Sequence, residues 1–321
     1  MTDVLVTNLV MQRDAPLFEE DLRAAGVRLH PHPVEQALTE AELLALFRET
    51  GGFDAWIAGD DEVTDAVLAE ATPRLRLIAK WGVGLDSFDL DAAARRAVEV
   101  RNTPGAFGVA VAEVAIGYLL TLSRHLLAVD REVRAGGWPK PEGRGLQGAA
   151  VGIVGLGAIG RATAERLRGF GCRLLAADPA PGETPAGVER VPLERLLARA
   201  DHVVLCCPLT PATRHLIDAA ALHRMKPGAT VVNVARGPVV DGEALAEALA
   251  AGRVGGAALD VFEAEPLPPE SPFRSLDRVV LGSHNANNLA AANAAVNRAC
   301  VDAVLGLARG SVQPNPTPRP R

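Results

Sequence analysis

A cluster of basic residues is missing from this sequence. Its 321 residues include 33 Lys and Arg and 39 Asp and Glu, a net charge of -6, and the arginines are scattered among the acidic residues. Proteins that bind nucleic acids neutralise phosphates with basic stripes or patches. The sequence therefore argues against nucleic acid as a direct partner.

The sequence also predicts neither a secretory leader nor a membrane span. The N-terminus has no basic start, and its apolar run at 4–6 is much shorter than the core of a signal peptide. The most apolar long segment, 109–128, contains Glu113, Arg124 and His125, which is typical of a buried helix and not of a membrane span. We expect a soluble, cytoplasmic protein with no membrane partner.

Cysteine is scarce, and its spacing fits neither a metal site nor a disulfide framework. The cysteines are Cys172, Cys206, Cys207 and Cys300. Cys206 and Cys207 are adjacent within an apolar strand, so core packing in a reducing compartment explains them best. We predict no metal site.

Strand-like apolar runs alternate with amphipathic helical segments, which predicts parallel sheets flanked by helices. A first cycle has predicted strands at 4–10, 55–58 and 75–79, with helices near 16–25 and 40–47. A second cycle begins at 150–154 and continues through 173–177, 202–206, 230–234, 257–259 and 279–281. The length also favours two cores over one. The predicted fold class is α/β, with two doubly wound parallel-sheet domains.

The boundary between the cycles is predicted at Asn102-Thr103-Pro104-Gly105, where Pro and Gly end the first cycle. One long helix is expected from there to about residue 134. The helical segment 286–307 is too short to be a domain and is expected to pack back onto the first one, before a Pro-rich tail. The predicted division is 1–101, an inserted domain at 102–284, and a return helix and tail at 285–321.

The inserted domain begins with a dinucleotide fingerprint. Gly155, Gly157 and Gly160 follow the strand at 151–154 and precede a helical pattern, which is the context that this motif requires. Gly155 permits the tight turn, Gly157 lets the backbone approach a pyrophosphate, and Gly160 lets helix and strand pack closely. The pattern predicts a Rossmann domain.

Asp178 closes the next predicted strand, about twenty residues after the fingerprint, where a carboxylate can accept both ribose hydroxyls. That position favours NAD, because an adenosine 2'-phosphate would be repelled. Pro179-Ala180-Pro181 supply no Arg to receive such a phosphate. The alternative is that Asp178 is a solvated turn residue.

Three later segments deliver polar residues to the ends of predicted strands. They are Asn233-Val234-Ala235-Arg236-Gly237, the stretch from Leu259 to Pro266, and Leu281-Gly282-Ser283-His284. The carboxyl ends of parallel strands face the ligand crevice of an open sheet. Arg, Glu and His at that one edge indicate chemistry on a carboxylated substrate.

These ordered motifs together resemble the D-2-hydroxyacid dehydrogenase family. The resemblance covers nearly the whole chain and includes Gly82-Val83-Gly84-Leu85-Asp86 and Asn102-Thr103-Pro104-Gly105. Among members it is most like phosphoglycerate dehydrogenases that lack a C-terminal regulatory domain. It implies a flavodoxin-like substrate domain and an inserted Rossmann NAD domain, with hydride transfer between nicotinamide C4 and C2 of a small 2-hydroxy or 2-oxo acid.

The resemblance also implies roles for individual residues. Arg236 matches the residue that grips the substrate carboxylate and oxo group, Glu265 the partner of the histidine, and His284 the proton donor and acceptor. Their chemistry suits these roles, because a guanidinium binds carboxylates in bidentate fashion and a histidine titrates near working pH. Glu263, two residues before Glu265, is the rival, although Pro266 and the family register favour Glu265.

His284 stands out among the seven histidines by its position after a strand at the fingerprint edge. The others are His30 and His32 in the second strand, His125 in the long helix, and His202, His215 and His223 near strands but away from that edge.

Further residues are expected to contact the cofactor or the substrate. Asp260 matches a family residue beside the nicotinamide amide, with a strand-end cap as its alternative role. The predicted cofactor-binding set is Gly155, Gly157, Ala158, Ile159, Gly160, Asp178, Cys207, Pro208, Val234, Ala235 and Asp260. Lys80 is the only hint of a phosphorylated acid, 3-phosphoglycerate, while the Val83 and Gly84 amides could bind the carboxylate.

Rival functions and assembly remain open at this point. A glyoxylate, hydroxypyruvate or other 2-oxo acid reductase would keep the reaction class and change the acid. A different class is an NADH-sensing binding protein related to the transcriptional corepressors of this fold. The apolar helix at 106–134 predicts a homodimer.

Two features depart from the family pattern or have two interpretations. The sequence after His284, Asn285-Ala286-Asn287-Asn288, departs from the small residues and Thr or Ser of many members. Trp81 either narrows a pocket or packs under its loop.

Overall fold

The computed structural model describes residues 1–180 and 182–310, which divide into two compact units. The first unit contains Met1–Ala106 together with the chain from Leu289 onward, and the second unit contains Phe107–Asn288. The predicted Pro-rich tail and Pro181 lie outside the described residues.

Within these residues the first unit has five strands and the second has seven. The strands are β1 (Thr2–Val6), β2 (Val27–Pro31), β3 (Ala55–Ala58), β4 (Leu77–Lys80), β5 (Glu99–Arg101), β6 (Ala150–Val154), β7 (Arg173–Ala177), β8 (Val188–Arg190), β9 (His202–Leu205), β10 (Thr230–Asn233), β11 (Gly256–Leu259) and β12 (Val279–Leu281).

The α-helices of the described chain connect these strands. They are α1 (Leu9–Asp14), α2 (Glu19–Ala24), α3 (Glu40–Thr50), α4 (Asp65–Ala71), α5 (Leu90–Arg95), α6 (Gly108–Arg124), α7 (Leu126–Arg134), α8 (Ala158–Leu167), α9 (Leu193–Arg199), α10 (Ala219–Arg224), α11 (Gly242–Ala250) and α12 (Ala290–Ala308). Short 3₁₀ turns occur at Ala15–Phe18, Arg168–Phe170, Gly237–Val239 and Pro272–Arg274.

Both sheets are entirely parallel and doubly wound, which confirms the predicted fold class. The first has the strand order β2-β1-β3-β4-β5, and the second has the order β12-β11-β10-β9-β6-β7-β8. In the first sheet the winding direction reverses after β2, so that β3 lies on the other side of β1. In the second sheet it reverses after β8, so that β9 lies on the other side of β6. Ligands of such sheets bind outside the carboxyl ends of the strands at that point.

The apolar runs that predicted the strands are buried on both faces. Every residue of β3, β4, β6, β9, β10 and β11 is buried. Helices cover both faces of a parallel sheet, so its strands need no polar side. This is why continuous apolar runs, and not alternating ones, marked them in the sequence.

The single helix predicted at 106–134 is wrong in one respect. The chain forms α6 and α7, which are bent by 63° at His125. His125 ends α6 with a left-handed backbone, φ 55°, a conformation that a residue other than glycine rarely takes. Among the described residues no single helix has the length and apolar composition that crossing a membrane requires; α6 and α7 reach them only when taken together.

The start of the chain also differs from the pattern. The strand predicted at 4–10 ends at Val6, and α1 begins at Leu9. The cause is local, because the Asn8 side chain accepts a hydrogen bond from the Met11 amide and caps the helix.

Candidate active site

The fingerprint glycines divide into two that the fold requires and one that it does not. Gly155 has φ 94°, and a Cβ there would lie 2.8 Å from the Cys207 amide nitrogen. A Cβ on Gly160 would overlap the Gly155 carbonyl oxygen. Gly157, the N-cap of α8, has φ -69°, and a Cβ there would meet no atom within 4 Å. The helix N-terminus therefore opens onto unobstructed space beside exposed Gly157 and Ala158 and half-buried Ile159, and a pyrophosphate fits there.

Asp178 is held firmly at the end of β7. Its Oδ2 accepts a hydrogen bond from the Leu156 amide at 2.6 Å, and its Oδ1 accepts one from the Ala180 amide at 2.7 Å. Arg190 on β8 lies beside it, with Nη2 3.8 Å from Asp178 Oδ1, and donates to the carbonyl oxygens of Asp178 and Ala180. The sequence prediction considered only the three residues after Asp178 and missed this arginine. The pairing of β7 with β8, which sets Ala176 opposite Arg190, brings it there.

The remaining predicted cofactor residues also lie at carboxyl ends of strands. Cys207 and Pro208 follow β9, and Val234 and Ala235 follow β10. Burial raises the pKa of the Cys207 thiol to about 11, so it is a neutral group at physiological pH. The described chain holds no group of three or more His, Cys, Asp or Glu side chains that could bind a metal ion.

Asn233 shapes the turn that carries Arg236. Asn233 is 1% exposed; its Oδ1 accepts from the Ala235 amide at 3.0 Å and its Nδ2 donates to the Arg236 carbonyl at 2.9 Å. Gly237 follows because a Cβ there would overlap the Phe262 backbone. The Arg236 turn thus packs closely against the loop that follows β11. The sequence indicated this asparagine only as part of a motif and gave it no role.

His284 and Glu265 form a close pair. His284 Nδ1 lies 2.7 Å from Glu265 Oε2, and the two side chains are 17% and 19% exposed. The other carboxylate oxygen of Glu265 accepts from the Phe262 amide at 2.8 Å. Both oxygens of Glu265 are therefore engaged, and its orientation toward the imidazole is fixed.

The rival carboxylate, Glu263, pairs with a different histidine. Its Oε1 lies 2.7 Å from His215 Nε2, and its Oε2 accepts from the Gly242 amide at 3.2 Å. The expectation that His215 lies away from the fingerprint edge is wrong. β9 is the neighbour of β6, so the loop that follows β9 and carries His215 leaves the sheet at the fingerprint edge.

Asp260 is buried and its carboxylate is hydrogen-bonded within the protein. It is 3% exposed, and its carboxylate accepts hydrogen bonds from the Tyr118 hydroxyl and from the Asn285 and Ala286 amides. The Asn-containing segment after His284, which departed from the family pattern, is thereby anchored through its backbone.

In the first unit, Lys80 is buried and already neutralised. Its side chain is 3% exposed; Nζ donates to Asp60 Oδ1 at 2.9 Å and to the Trp81 carbonyl at 3.2 Å. A Cβ on Gly82 would lie 3.3 Å from Nζ, so the ammonium lies directly against the 81–84 loop. Lys80 thus already has a carboxylate partner, and its role in binding a phosphate stays a prediction.

The 81–84 loop presents its amides in one direction. The Gly82 carbonyl accepts from the Thr103 amide and hydroxyl, and the Val83 carbonyl accepts from Asn102 Nδ2 at 2.7 Å. In a planar trans peptide the N–H points opposite to the C=O. The Val83 and Gly84 amides therefore point away from Asn102 and Thr103, as a carboxylate-binding role requires. Trp81 is 5% exposed, and its Nε1 donates to Asn297 on α12 at 2.7 Å.

Comparison with known proteins agrees with this geometry. The family model described as "D-isomer specific 2-hydroxyacid dehydrogenase, NAD binding domain" matches residues 116–286. The chain belongs to the D-isomer specific 2-hydroxyacid dehydrogenase family. It is accordingly an NAD-dependent oxidoreductase of small 2-hydroxy or 2-oxo acids, and the predicted family, cofactor and enzyme class are confirmed.

Individual relatives of the dehydrogenase differ in their named substrates. A glyoxylate reductase of Korarchaeum cryptofilum (strain OPF8) is 40% identical over 271 residues, which cover 82% of each chain. A D-3-phosphoglycerate dehydrogenase of Archaeoglobus fulgidus is 36% identical over 92% of this chain and 56% of its own. A D-lactate dehydrogenase structure from Aquifex aeolicus, in complex with NAD and lactic acid, superposes with a TM-score of 0.86 at 25% identity, covering 96% of both chains.

Proposed function

We propose that this dehydrogenase interconverts glyoxylate or hydroxypyruvate with the corresponding 2-hydroxy acid, and that Arg236, Glu265 and His284 carry the reaction. The observation that supports these roles most directly is the 2.7 Å contact between His284 Nδ1 and Glu265 Oε2. It engages Nδ1 of His284 with a carboxylate, and we assign proton transfer to the substrate to Nε2.

Each residue has a distinct task. The fingerprint turn at Gly155–Gly160 and Asp178 would hold NADH, which would supply the hydride for C2 of the 2-oxo acid. Arg236 binds the substrate carboxylate, and its permanent charge polarises the C2 carbonyl. His284 donates a proton from Nε2 to the developing alkoxide, and Glu265 fixes its tautomer and stabilises the imidazolium form. In the direction of oxidation His284 accepts that proton.

The preference for an acid without phosphate is supported by Lys80. The sequence offered Lys80 as the one cation for a phosphate, and Asp60 pairs with it at 2.9 Å. The relative named glyoxylate reductase, at 40% identity, also supports an acid without phosphate.

The test is a comparison of acids with wild type and two variants. NADH oxidation is followed with glyoxylate, hydroxypyruvate and 3-phosphohydroxypyruvate, and NAD reduction with D-3-phosphoglycerate. We expect the highest kcat/KM with an acid that lacks phosphate, and a loss of about 10²- to 10⁴-fold in kcat for His284→Ala. His223→Ala, which changes an exposed histidine on α10, is the matched control.

Two outcomes would contradict the proposal. A higher kcat/KM with the phosphorylated acids would restore 3-phosphoglycerate as the substrate. Tight NADH binding without turnover of any acid would favour the NADH-sensing binding protein.

We further propose that the enzyme works as a homodimer in the cytoplasm. Helix α7 has no buried residue although it carries Leu126, Leu127 and Val133, and Trp138 beyond it is 79% exposed. Contiguous exposed apolar side chains mark association surfaces. The four cysteines are unpaired thiols, as a reducing compartment favours.

A further inference from the structure

Three successive amides of the His284 turn are bound by one residue, Asp260. Its carbonyl oxygen accepts from the His284 amide at 2.6 Å, its Oδ1 from the Asn285 amide at 3.3 Å, and its Oδ2 from the Ala286 amide at 2.9 Å. Asp260 directly follows β11 and is 3% exposed. The backbone of the turn is therefore held by a buried residue next to the sheet.

The His284 backbone needs such a support. Its φ is 53°, in the left-handed region, which is unfavourable for a residue with a side chain. A strained conformation persists only when its surroundings determine it. The three hydrogen bonds to Asp260 supply that determination and so set the direction from which the imidazole meets Glu265.

Asp260 is in turn held by Tyr118, the one tyrosine of the chain. Tyr118 lies on α6, which packs against β11 and β12, and its hydroxyl donates to Asp260 Oδ1 at 3.1 Å. Burial and the charge of Asp260 raise the pKa of Tyr118. The hydroxyl consequently keeps its proton and remains a donor throughout the working pH range.

Gly282 shows how tightly this contact is built. A Cβ at Gly282 would overlap both the Tyr118 hydroxyl oxygen and Asp260 Oδ1. A glycine at the end of β12 thus leaves the space through which the tyrosine reaches the carboxylate.

We infer that Tyr118 is a positioning residue for the reaction, which acts through Asp260 to hold the backbone of His284. This inference rests on the proposed role of His284 as proton donor. The carboxylate has about four acceptor positions, and three are taken by Tyr118, Asn285 and Ala286. Tyr118 thereby holds the same carboxylate that binds the turn.

The variant that tests this is Tyr118→Phe, which removes one oxygen atom and keeps the ring. Its matched control is Thr121→Val on the same helix, which removes a hydroxyl that donates to the Gly117 carbonyl at 2.8 Å. We expect Tyr118→Phe to lower kcat about tenfold, with KM and the NADH dissociation constant within about threefold of wild type. Thr121→Val is expected to match wild type in all three.

A second measurement does not depend on turnover. In the protein without substrate or cofactor, the amides of 284–286 are expected to exchange hydrogen for deuterium faster in Tyr118→Phe than in Thr121→Val. Equal exchange in the two variants would overturn the inference, and so would faster exchange with an unchanged kcat. If wild type itself turns over no acid, the proposed function fails, while the exchange data still decide whether Tyr118 holds the turn.

The single tyrosine also allows a direct check of the contact. Its ionisation can be followed by ultraviolet absorbance in alkaline solution, and we expect it to occur above the ordinary value of 10.0. Titration at the ordinary value would show that Tyr118 does not contact the buried carboxylate and would overturn the inference.

Discussion

His284 and Glu265 meet because β11 and β12 are neighbours in the second sheet. Leu259 at the end of β11 pairs with Leu281 at the end of β12, so the segments that follow leave the sheet side by side. The histidine and the carboxylate are 19 positions apart in sequence, yet their polar atoms are 2.7 Å apart. The fold, and not sequence proximity, makes the pair.

Replacing Glu265 by Gln removes the negative charge of this side chain and nearly preserves its shape. The amide of Glu265→Gln can still accept from the Phe262 amide, but it no longer stabilises an imidazolium. We expect kcat to fall on the order of 10²-fold, measured at saturating NADH. Glu263→Gln, which alters the partner of His215, is the matched control and should keep kcat within about threefold of wild type. An equal loss in the control would show that the carboxylates are wrongly assigned.

The fingerprint glycines predict two opposite phenotypes. Gly157→Ala adds a Cβ that meets no protein atom, so thermal unfolding should stay within about 2 °C of wild type. The NADH dissociation constant should nevertheless rise about tenfold or more, because the Cβ occupies space that the pyrophosphate needs. Gly160→Ala places a Cβ on the Gly155 carbonyl and should lower the unfolding temperature itself. Unchanged NADH binding in Gly157→Ala would place the pyrophosphate elsewhere.

The parts of the molecule that sequence reasoning predicted are those with local signals. Buried parallel strands appear as apolar runs, and the fingerprint is a contiguous motif, so both sheets and the dinucleotide site could be located. Asp60 beside Lys80 and Tyr118 beside Asp260 are contacts across 20 and 142 positions, for which the sequence has no periodic signal. The bend at His125 was missed because its left-handed backbone is not carried by a glycine.

Coenzyme preference should respond to Asp178. Asp178→Ala removes the carboxylate that would repel an adenosine 2'-phosphate and leaves Arg190 nearby. We expect the ratio of kcat/KM for NADPH to that for NADH to rise at least about tenfold. In the double variant with Arg190→Ala this gain should disappear. A ratio that stays at the wild-type value would mean that Asp178 is only a turn residue.

His202 is expected to make the protein sensitive to mild acid. Burial lowers the pKa of His202 below its ordinary 6.5, against the opposing charge of Asp201 and together with that of Arg144. The unfolded chain then binds the proton at a higher pH than the folded one does. The contribution of neutral His202 to the free energy of unfolding is therefore fully present above pH 6.5. It is lost as the pH falls below 6.5, by up to about 1.4 kcal/mol per pH unit.

Urea unfolding as a function of pH tests this assignment. His202→Asn removes the titrating group and keeps a polar atom for the Thr230 hydroxyl, which His202 Nδ1 contacts at 2.8 Å. The variant should lose less stability than wild type between about pH 6.5 and pH 5. His223→Asn, on an exposed position, should follow the wild-type curve. Parallel curves for wild type and His202→Asn would contradict the prediction.

The exposed apolar residues of α7 predict how the proposed dimer can be weakened. Leu127 is 52% exposed on a helix without buried residues, and a symmetric interface would bury it twice. Burying one leucine contributes about 1.5–3 kcal/mol, so Leu127→Lys should raise the dimer dissociation constant at least about tenfold. Equilibrium sedimentation measures this, with Leu17→Lys, at a 79% exposed position in the first unit, as the control. A wild-type protein that sediments only as a monomer at micromolar concentration would remove the dimer from the proposal, and equal dimerisation of both variants would place the interface on a surface other than α7.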